Sequence, residues 1–534
     1  MNSIWNKNIS SFTNRFPKLA EIYSEQIKKI EENILSNQLS QENHPFWQIK
    51  TAKNGELTAS ENGIFLHSSY SPSREAFSAV NQKEILEKSG TVFFGFGLGY
   101  HIIEWAKIYK KTDKKLIIIE PDYVHFFSAL LFLDWTEVFE VEHLIIALSC
   151  SPEEILSLIE NQSQINIGNT GVSDCFFFNL KAFTKHSQNY FDTVKILIDR
   201  NIQKNKINEA TLKKFGKLWC KNSKKNILEL KNHDFINNFE NKTDLPFLLI
   251  GAGPSLKNII SHLAQLQKKM IIICVETALH TLLKNNIEPD FIIILDPQYW
   301  AYKHIASLKS PKSVLITEIS VYPSVFRFLC KKIVLCHSQF PIGQYFEKKL
   351  NLSIGDLGTG GSVASAAWNF ARFCGSKEIY FAGLDLSFPE KQTHIKGSSS
   401  EQNFHKISNK ILSSEKLNIS SLFNAFPEIA QNYLEKPVLT DAKMKMFAWW
   451  FEAKIASFPE VKNFTLCPEG LKIPGVKIKK IEEVLKLKDI TKQKNDFLSQ
   501  SFSQKNDFSN FQEIINSFPN QEFLSQYPFL KDFL

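Results

Sequence analysis

No Cys-x-x-Cys pair occurs among the eight cysteines (Cys150, Cys175, Cys220, Cys274, Cys330, Cys336, Cys374 and Cys467), and no Cys/His group has zinc-finger spacing. A redox motif is thereby excluded, and no metal is called for. Several of these thiols sit inside apolar runs such as MIIICVE, where cysteine acts as a small hydrophobe. No run of 18 uninterrupted apolar residues exists, so no membrane-spanning helix is expected. The opening MNSIWNKNISSF has neither the basic nor the apolar region of a secretion signal, which leads to the expectation of a soluble, cytoplasmic protein. No repeat of solenoid period is found either.

The chain has 534 residues, 43% hydrophobic and 22% charged, a composition that folds. That length predicts two or three domains. The net charge of +8 reads as lysine on solvated faces, with an acidic partner as the sharper alternative; no nucleic-acid partner and no membrane span are expected. Helical spacing marks residues 1–60 as an N-terminal helical segment that ends in a hairpin with turns at Asn54-Gly55 and Asn62-Gly63. In 61–224, TVFFGFGLGY, HIIEWAKIY and KLIIIE follow one another as strand, Gly-rich turn, helix and strand, a βαβ beginning that ends at Glu120. In 225–480, apolar strands at 246–250, 270–275, 291–295, 313–317, 332–336 and 378–382 alternate with helical stretches. That pattern predicts a second parallel sheet covered on both faces. Residues 481–534 read as a helical C-terminal region. The fold class is α/β: two Rossmann-like parallel-sheet domains plus that helical region.

Two Gly-rich turns stand where α/β proteins hold ligands. In GAGPSLKN, Gly251 and Gly253 permit close backbone approach, Pro254 fixes the turn, and Ser255 is placed to cap a helix from Leu256. The bland reading is a tight turn. In DLGTGGSVASAAWNF, Thr359, Gly360, Gly361 and Ser362 open a helix of small residues as a second anion cradle, or simply as a helix cap. In the N-terminal domain, Gly95, Gly97 and Gly99 with Glu120 look like a nucleotide or S-adenosylmethionine fingerprint, read here as a retained fold without catalysis. Trp449 and Trp450 read as core rather than as a sugar platform.

The order GxGPSLK, hydroxyl-Gly-Gly helix start and KEIYFAG resembles the bacterial sialyltransferases that use CMP-activated sugars. PDFIIILDP, GLDLSF, THIKGS, FFGFGLGY, LHSSYSPSREA and CPEGLKIPG extend the likeness over most of residues 60–480. Together these phrases resemble the motility accessory factor family more closely. The resemblance implies an inverting glycosyltransferase that moves a nonulosonic acid, of pseudaminic or legionaminic type, from its CMP donor to Ser or Thr hydroxyls of flagellin. It implies that Gly251, Gly253, Pro254, Ser255, Glu276, Thr359, Gly360, Gly361 and Ser362 bind the donor. Two departures stand out. Val275-Glu276-Thr277 replaces the sialyltransferase Asn after the second strand, and Ser387-Phe388 follows GLDL where a phosphate-binding tyrosine would be sought.

Because CMP is a good leaving group, no metal and no further cofactor are expected. The acceptor hydroxyl needs a base. His394 in THIKGS is the candidate, with His405 as the alternative, and Asp296 and Asp385 at strand ends could orient it. Two other classes stay open. A pterin-type pyrophosphokinase would use ATP and Mg²⁺ with Asp290 and Asp296 as metal carboxylates. A non-catalytic flagellin-binding factor would need neither turn.

Overall fold

The computed structural model describes residues 3–36, 44–152, 154–155, 158, 174–358, 361–499, 508–527, 530–531 and 533. It divides into two units, Met1–Asn208 and Glu209–Leu534.

In the first unit, strands β1 (Gln48–Thr51), β2 (Leu57–Glu61) and β3 (Ile64–Phe65) form an antiparallel sheet. A parallel sheet follows, built from β4 (Gly90–Phe94), β5 (Lys115–Glu120), β6 (Leu144–Leu148) and β7 (Cys175–Phe178) in the order β6-β5-β4-β7. The chain starts this sheet at β4, moves out to β6, then returns to place β7 on the other side of β4. The helical beginning of the chain is part of this unit. In the helix Ser3–Arg15, Trp5 and Phe12 are fully buried in one apolar cluster with Phe126, Phe127 and Trp135. Asn8 pins that helix: its amide donates to Leu130 O (2.8 Å) and Leu133 O (2.7 Å) and accepts from Trp135 N (2.8 Å).

In the second unit, nine strands among the described residues make one parallel sheet. They are β8 (Asp234–Phe235), β9 (Phe247–Ile250), β10 (Ile271–Val275), β11 (Phe291–Ile293), β12 (Lys309–Thr317), β13 (Leu329–Leu335), β14 (Glu378–Ala382), β17 (Lys462–Thr465) and β18 (Val476–Ile478). A separate hairpin joins β15 (Glu428–Gln431) to β16 (Pro437–Thr440). The large sheet runs β18-β17-β14-β9-β10-β11-β12-β13-β8. Its strands are apolar because both faces are covered. The helix Val363–Phe373 packs Ala367, Trp368 and Phe370 against Phe247 and Phe291 on one face. The helix Glu276–Lys284 packs Ala278, Leu279 and Leu282 with Leu248 and Ile272 on the other.

The sequence-drawn boundary at 224/225 differs from the observed division at 208/209. The polar Lys- and Asn-rich stretch is one continuous helix, Gln188–Asn226, and Cys220 near its end already belongs to a core with Phe235 and Ile319. Residues 481–534 likewise contribute Val484, Phe497, Phe511 and Phe523 to the cores of the second unit, so they are not a separate region.

Phe12→Ala should destabilise the first unit by about 3–5 kcal/mol, the usual cost of deleting a buried phenylalanine. Chemical denaturation of the full chain, followed by tryptophan fluorescence, checks this. An unchanged transition would mean that the N-terminal helix folds as an independent appendage.

Candidate functional site

The second sheet grows from β9 through β10 to β13, then returns to β14 on the opposite flank of β9. The β9/β14 boundary is therefore its topological switch point, where open α/β sheets bind ligands beyond the carboxyl ends of the strands. Here the two βα turns cross at close range. Gly251 N donates to Ala382 O and Gly253 N to Gly383 O, each at 2.9 Å. A Cβ on Gly251 would sit 2.5 Å from Gly383 O, and one on Gly253 would sit 2.5 Å from the Asp385 carboxyl. No side chain fits at either position, which explains the glycines without invoking a ligand.

Ser255 does not cap an α-helix. The segment Pro254–Asn258 is a 3₁₀ turn without a side-chain cap. Ser255 N instead donates to Asp385 Oδ2 at 2.9 Å, and its hydroxyl donates to Oδ1. Asp385 is 3% exposed. Burial and the nearby Glu469 push its pKa up to about 6 against the opposing Ser255 bonds. The place expected to cradle a phosphate thus holds the chain's own carboxylate, because a buried carboxyl must find donors. Cys467, whose thiol donates to Ser255 O at 3.6 Å, is pushed up to about 12 by burial and stays a thiol.

Glu276 follows β10 as the first residue of its helix and is 7% exposed. Its Oε2 has no hydrogen-bond partner among the described residues. Burial, aided by the charge of Asp296, raises its pKa to about 8 against backbone hydrogen bonding. Asp296, after β11, accepts from Gln298 N (2.8 Å) and from the Gln298 amide (3.2 Å), an Asx turn. Its charge also reaches His304, whose pKa is lowered by burial and partly restored by Asp296. His304 Nδ1 is hydrogen-bonded to the Ser399 hydroxyl.

His394 is held beside the glycine turn by the bond from Ile395 N to Ala252 O, 2.9 Å. Its Nδ1 is buried without a partner among the described residues, and burial, with His304 next to it, lowers its pKa to about 4. Asp385, Glu276, Asp296, His304 and His394 therefore line the carboxyl edge of β14, β9, β10 and β11. His304 is the addition. The sequence reading gave Glu276 only a donor-binding place, and His304 carried no motif. His405 lies on the exposed side of the helix Ser399–Ile407, 4.0 Å from Glu401, and is not part of this edge.

Of the second turn, Thr359 and Gly360 lie outside the described residues. Gly361 has φ 70° and faces Phe447. The Ser362 hydroxyl caps the helix Val363–Phe373 by accepting from Ser365 N at 3.2 Å. Trp450 packs edge-on against buried Trp368, 6.0 Å between ring centroids.

The pair Asp290 and Asp296 cannot share a metal. Asp290 precedes β11, where it accepts from Ile272 N (2.7 Å) and pairs with Lys494 (3.0 Å), while Asp296 follows the same strand. Extended backbone rises about 3.3 Å per residue, so the strand holds them at opposite ends.

In the first unit the Gly-rich turn is filled by protein. A Cβ on Gly95 would meet Phe183 O at 2.4 Å, and one on Gly99 would meet Trp135 at 2.2 Å. Leu98 N donates to His67 Nε2 at 2.9 Å. Glu120 lies 2.9 Å from His186 Nε2, so its carboxylate is engaged within the unit.

Residues 10–199 match a family model described as the glycosyltransferase Maf N-terminal domain, and residues 219–391 match one described as 6-hydroxymethylpterin diphosphokinase MptE-like. A Treponema pallidum (strain Nichols) protein described as uncharacterized is 33% identical over 36% of this chain and 56% of its own length. The chain thus spans little more than half of that relative. A second uncharacterized protein of the same organism is 27% identical over 49% of this chain and 85% of its own. The solved structure of a Maf glycosyltransferase from Magnetospirillum magneticum AMB-1 superposes with a TM-score of 0.59 over 93% of this chain and 78% of that one, at 16% identity, a likeness of fold. The resemblance drawn from the motifs therefore stands: residues 10–199 match the Maf N-terminal domain model, and the chain shares the fold of a Maf glycosyltransferase.

Proposed function

We propose that the chain is a glycosyltransferase that moves a nonulosonic acid of pseudaminic or legionaminic type from its CMP-activated form, with inversion, to Ser or Thr hydroxyls of flagellin. The observation that carries this reading is the carboxyl edge of the second sheet. There the groups Asp385, Glu276 and His394, with displaced pKa values, gather beside a topological switch point. Displaced titration at a ligand edge is how acid–base catalysts are tuned. The Maf N-terminal family match and the fold of the Maf glycosyltransferase support it.

In this reading the nucleotide lies along the carboxyl edge between the Gly251–Ser255 turn and the start of the helix Val363–Phe373. The Asp385–Ser255 clasp shapes the floor and makes no contact with phosphate. Fixed backbone donors stabilise the departing CMP, and no metal is required for the transfer. The acceptor proton needs a base titrating near neutrality. With a pKa near 4, His394 is a weak base, whereas Glu276, near 8, accepts a proton well in the same range. We therefore assign the base to Glu276 and leave His394 to hydrogen-bond the sugar or acceptor. The diphosphokinase reading, which the match over 219–391 supports, lacks its acidic pair, since Asp290 and Asp296 stand at opposite ends of a strand.

Calorimetry should detect CMP binding to the full chain without added metal. Binding of ATP with Mg²⁺ and none of CMP would favour the diphosphokinase reading. In a transfer assay, Glu276→Gln should reduce turnover by roughly 10²- to 10⁴-fold. The wild-type rate should rise with pH and level off above about 8, because the base works ionised. A plateau from near pH 4 upward, with His394→Ala as the inactive variant, would return the role to the histidine.

Glu276 also links pH to stability. Its folded pKa, about 8, lies above the ordinary 4.5, so its contribution is complete below 4.5 and is lost as pH rises through about 8. Glu276→Gln should therefore leave the melting temperature unchanged below about pH 4.5 and raise it increasingly up to about pH 8. An equal shift at both ends of that range would show that the group is not held protonated.

A further inference from the structure

The first unit carries a second polar cluster that plays no part in the transfer reading. It lies beyond the carboxyl ends of β5 and β7, beside the β4/β7 boundary where that smaller sheet reverses its order of growth. Glu61 ends β2, His125 lies on the helix Tyr123–Ala129 behind β5, and His186 follows β7. Each offers one donor atom, and the three atoms all lie within 4.8 Å of one another.

We propose that Glu61, His125 and His186 bind one divalent transition-metal ion of the zinc class, with a fourth coordination position left open. Four arguments converge. The donor set is the first: two imidazoles and one carboxylate suit zinc, and three protein ligands are the pattern of a site that keeps an exchangeable position. Spacing comes next. His125 Nε2 is 3.4 Å from Glu61 Oε1, close to the roughly 3.3 Å between two ligand atoms of a tetrahedral centre with bonds of about 2.0–2.1 Å.

The supporting shell is the third. His125 Nδ1 lies 3.0 Å from Asp122 Oδ2, a carboxylate that fixes the ring and leaves Nε2 for the ion. His186 lies beside Glu120, and Trp47 Nε1 donates to Glu61 Oε2 at 3.2 Å, holding the ligating carboxyl in place. Last, there is room. A cavity of about 10 Å³ is lined by Glu61, His125, His186, Glu120 and Trp47, space for one ion or one water. Glu61, Glu120 and Asp122 stand beside the two imidazoles with side chains 13%, 2% and 39% exposed, so a divalent cation would meet opposite charge on several sides.

The site is independent of the transfer reading, because no residue in it belongs to the second sheet. The full chain, stripped with a chelator and re-equilibrated with Zn²⁺, should retain about one zinc per chain by elemental mass spectrometry. Competition with a chromogenic chelator should show that His186→Ala and Glu61→Gln each weaken zinc by at least roughly 10²-fold. Asp122→Asn should weaken it by roughly 10- to 100-fold through the ring it orients. X-ray absorption should find only N/O neighbours, imidazole among them, at about 2.0–2.1 Å. Thermal melts of the metal-free variants separate a lost ligand from a lost fold, and Glu61→Gln should melt as the metal-free wild type does. Zinc absent from the wild type, sulfur neighbours around the ion, or zinc bound equally by Glu61→Gln and His186→Ala would overturn the proposal.

Discussion

The second unit depends on one buried clasp, the Asp385 carboxylate accepting both the backbone N–H and the hydroxyl of Ser255. It ties the turn after β9 to the turn after β14 at the point where the sheet reverses its order of growth. Gly251 and Gly253 make the clasp possible, since a methyl group at either would strike the opposite turn. Removing one partner would leave a buried polar group without its bond, which costs more than the bond itself is worth. The clasp also anchors what lies beyond it. Leu471 N donates to Asp385 O at 2.7 Å, so the segment after β17 hangs on the same residue.

From that fixed point the electrostatics of the edge follow. Burial keeps Asp385 and Glu276 proton-hungry, while burial of His394 beside His304 keeps it neutral. Groups whose titration is displaced toward neutrality at strand ends can change charge when a ligand arrives. The members of this edge follow three strands, β14, β10 and β11, so their placement is set by the sheet and not by any one loop. In the first unit the same topology has been used differently. The Gly-rich turn is packed solid with Phe183 and Trp135, and the polar groups gather just beyond it.

Much of this was legible in the sequence because strands buried on both faces announce themselves. KLIIIE, FLLI, IIICV and EIYFA are apolar without alternation, and each is a parallel strand. The turn after β9, marked by its glycines, lies at the switch point. Their reason was not legible: GAGPS reads equally as phosphate cradle or as close crossing, and only the partner at position 385, 130 residues away, decides. The sharp break expected at 224 failed because Lys and Asn on a long helix look like a linker. Glu276 drew notice only as a departure from a family pattern, since no local signal says that a carboxyl at a helix start will be buried. The cluster of Glu61, His125 and His186 has no motif at all, because three separate elements bring it together.

Hydrogen–deuterium exchange of the full chain with and without CMP tests the central claim most directly, that the clasped carboxyl edge is the donor site. The account predicts slowed exchange in residues 251–258, 276–284, 361–366 and 394–402, and little change elsewhere in Glu209–Leu534. Protection absent from those segments and found instead around the groove of Lys221, Asn222, Tyr322 and Arg327 would contradict it.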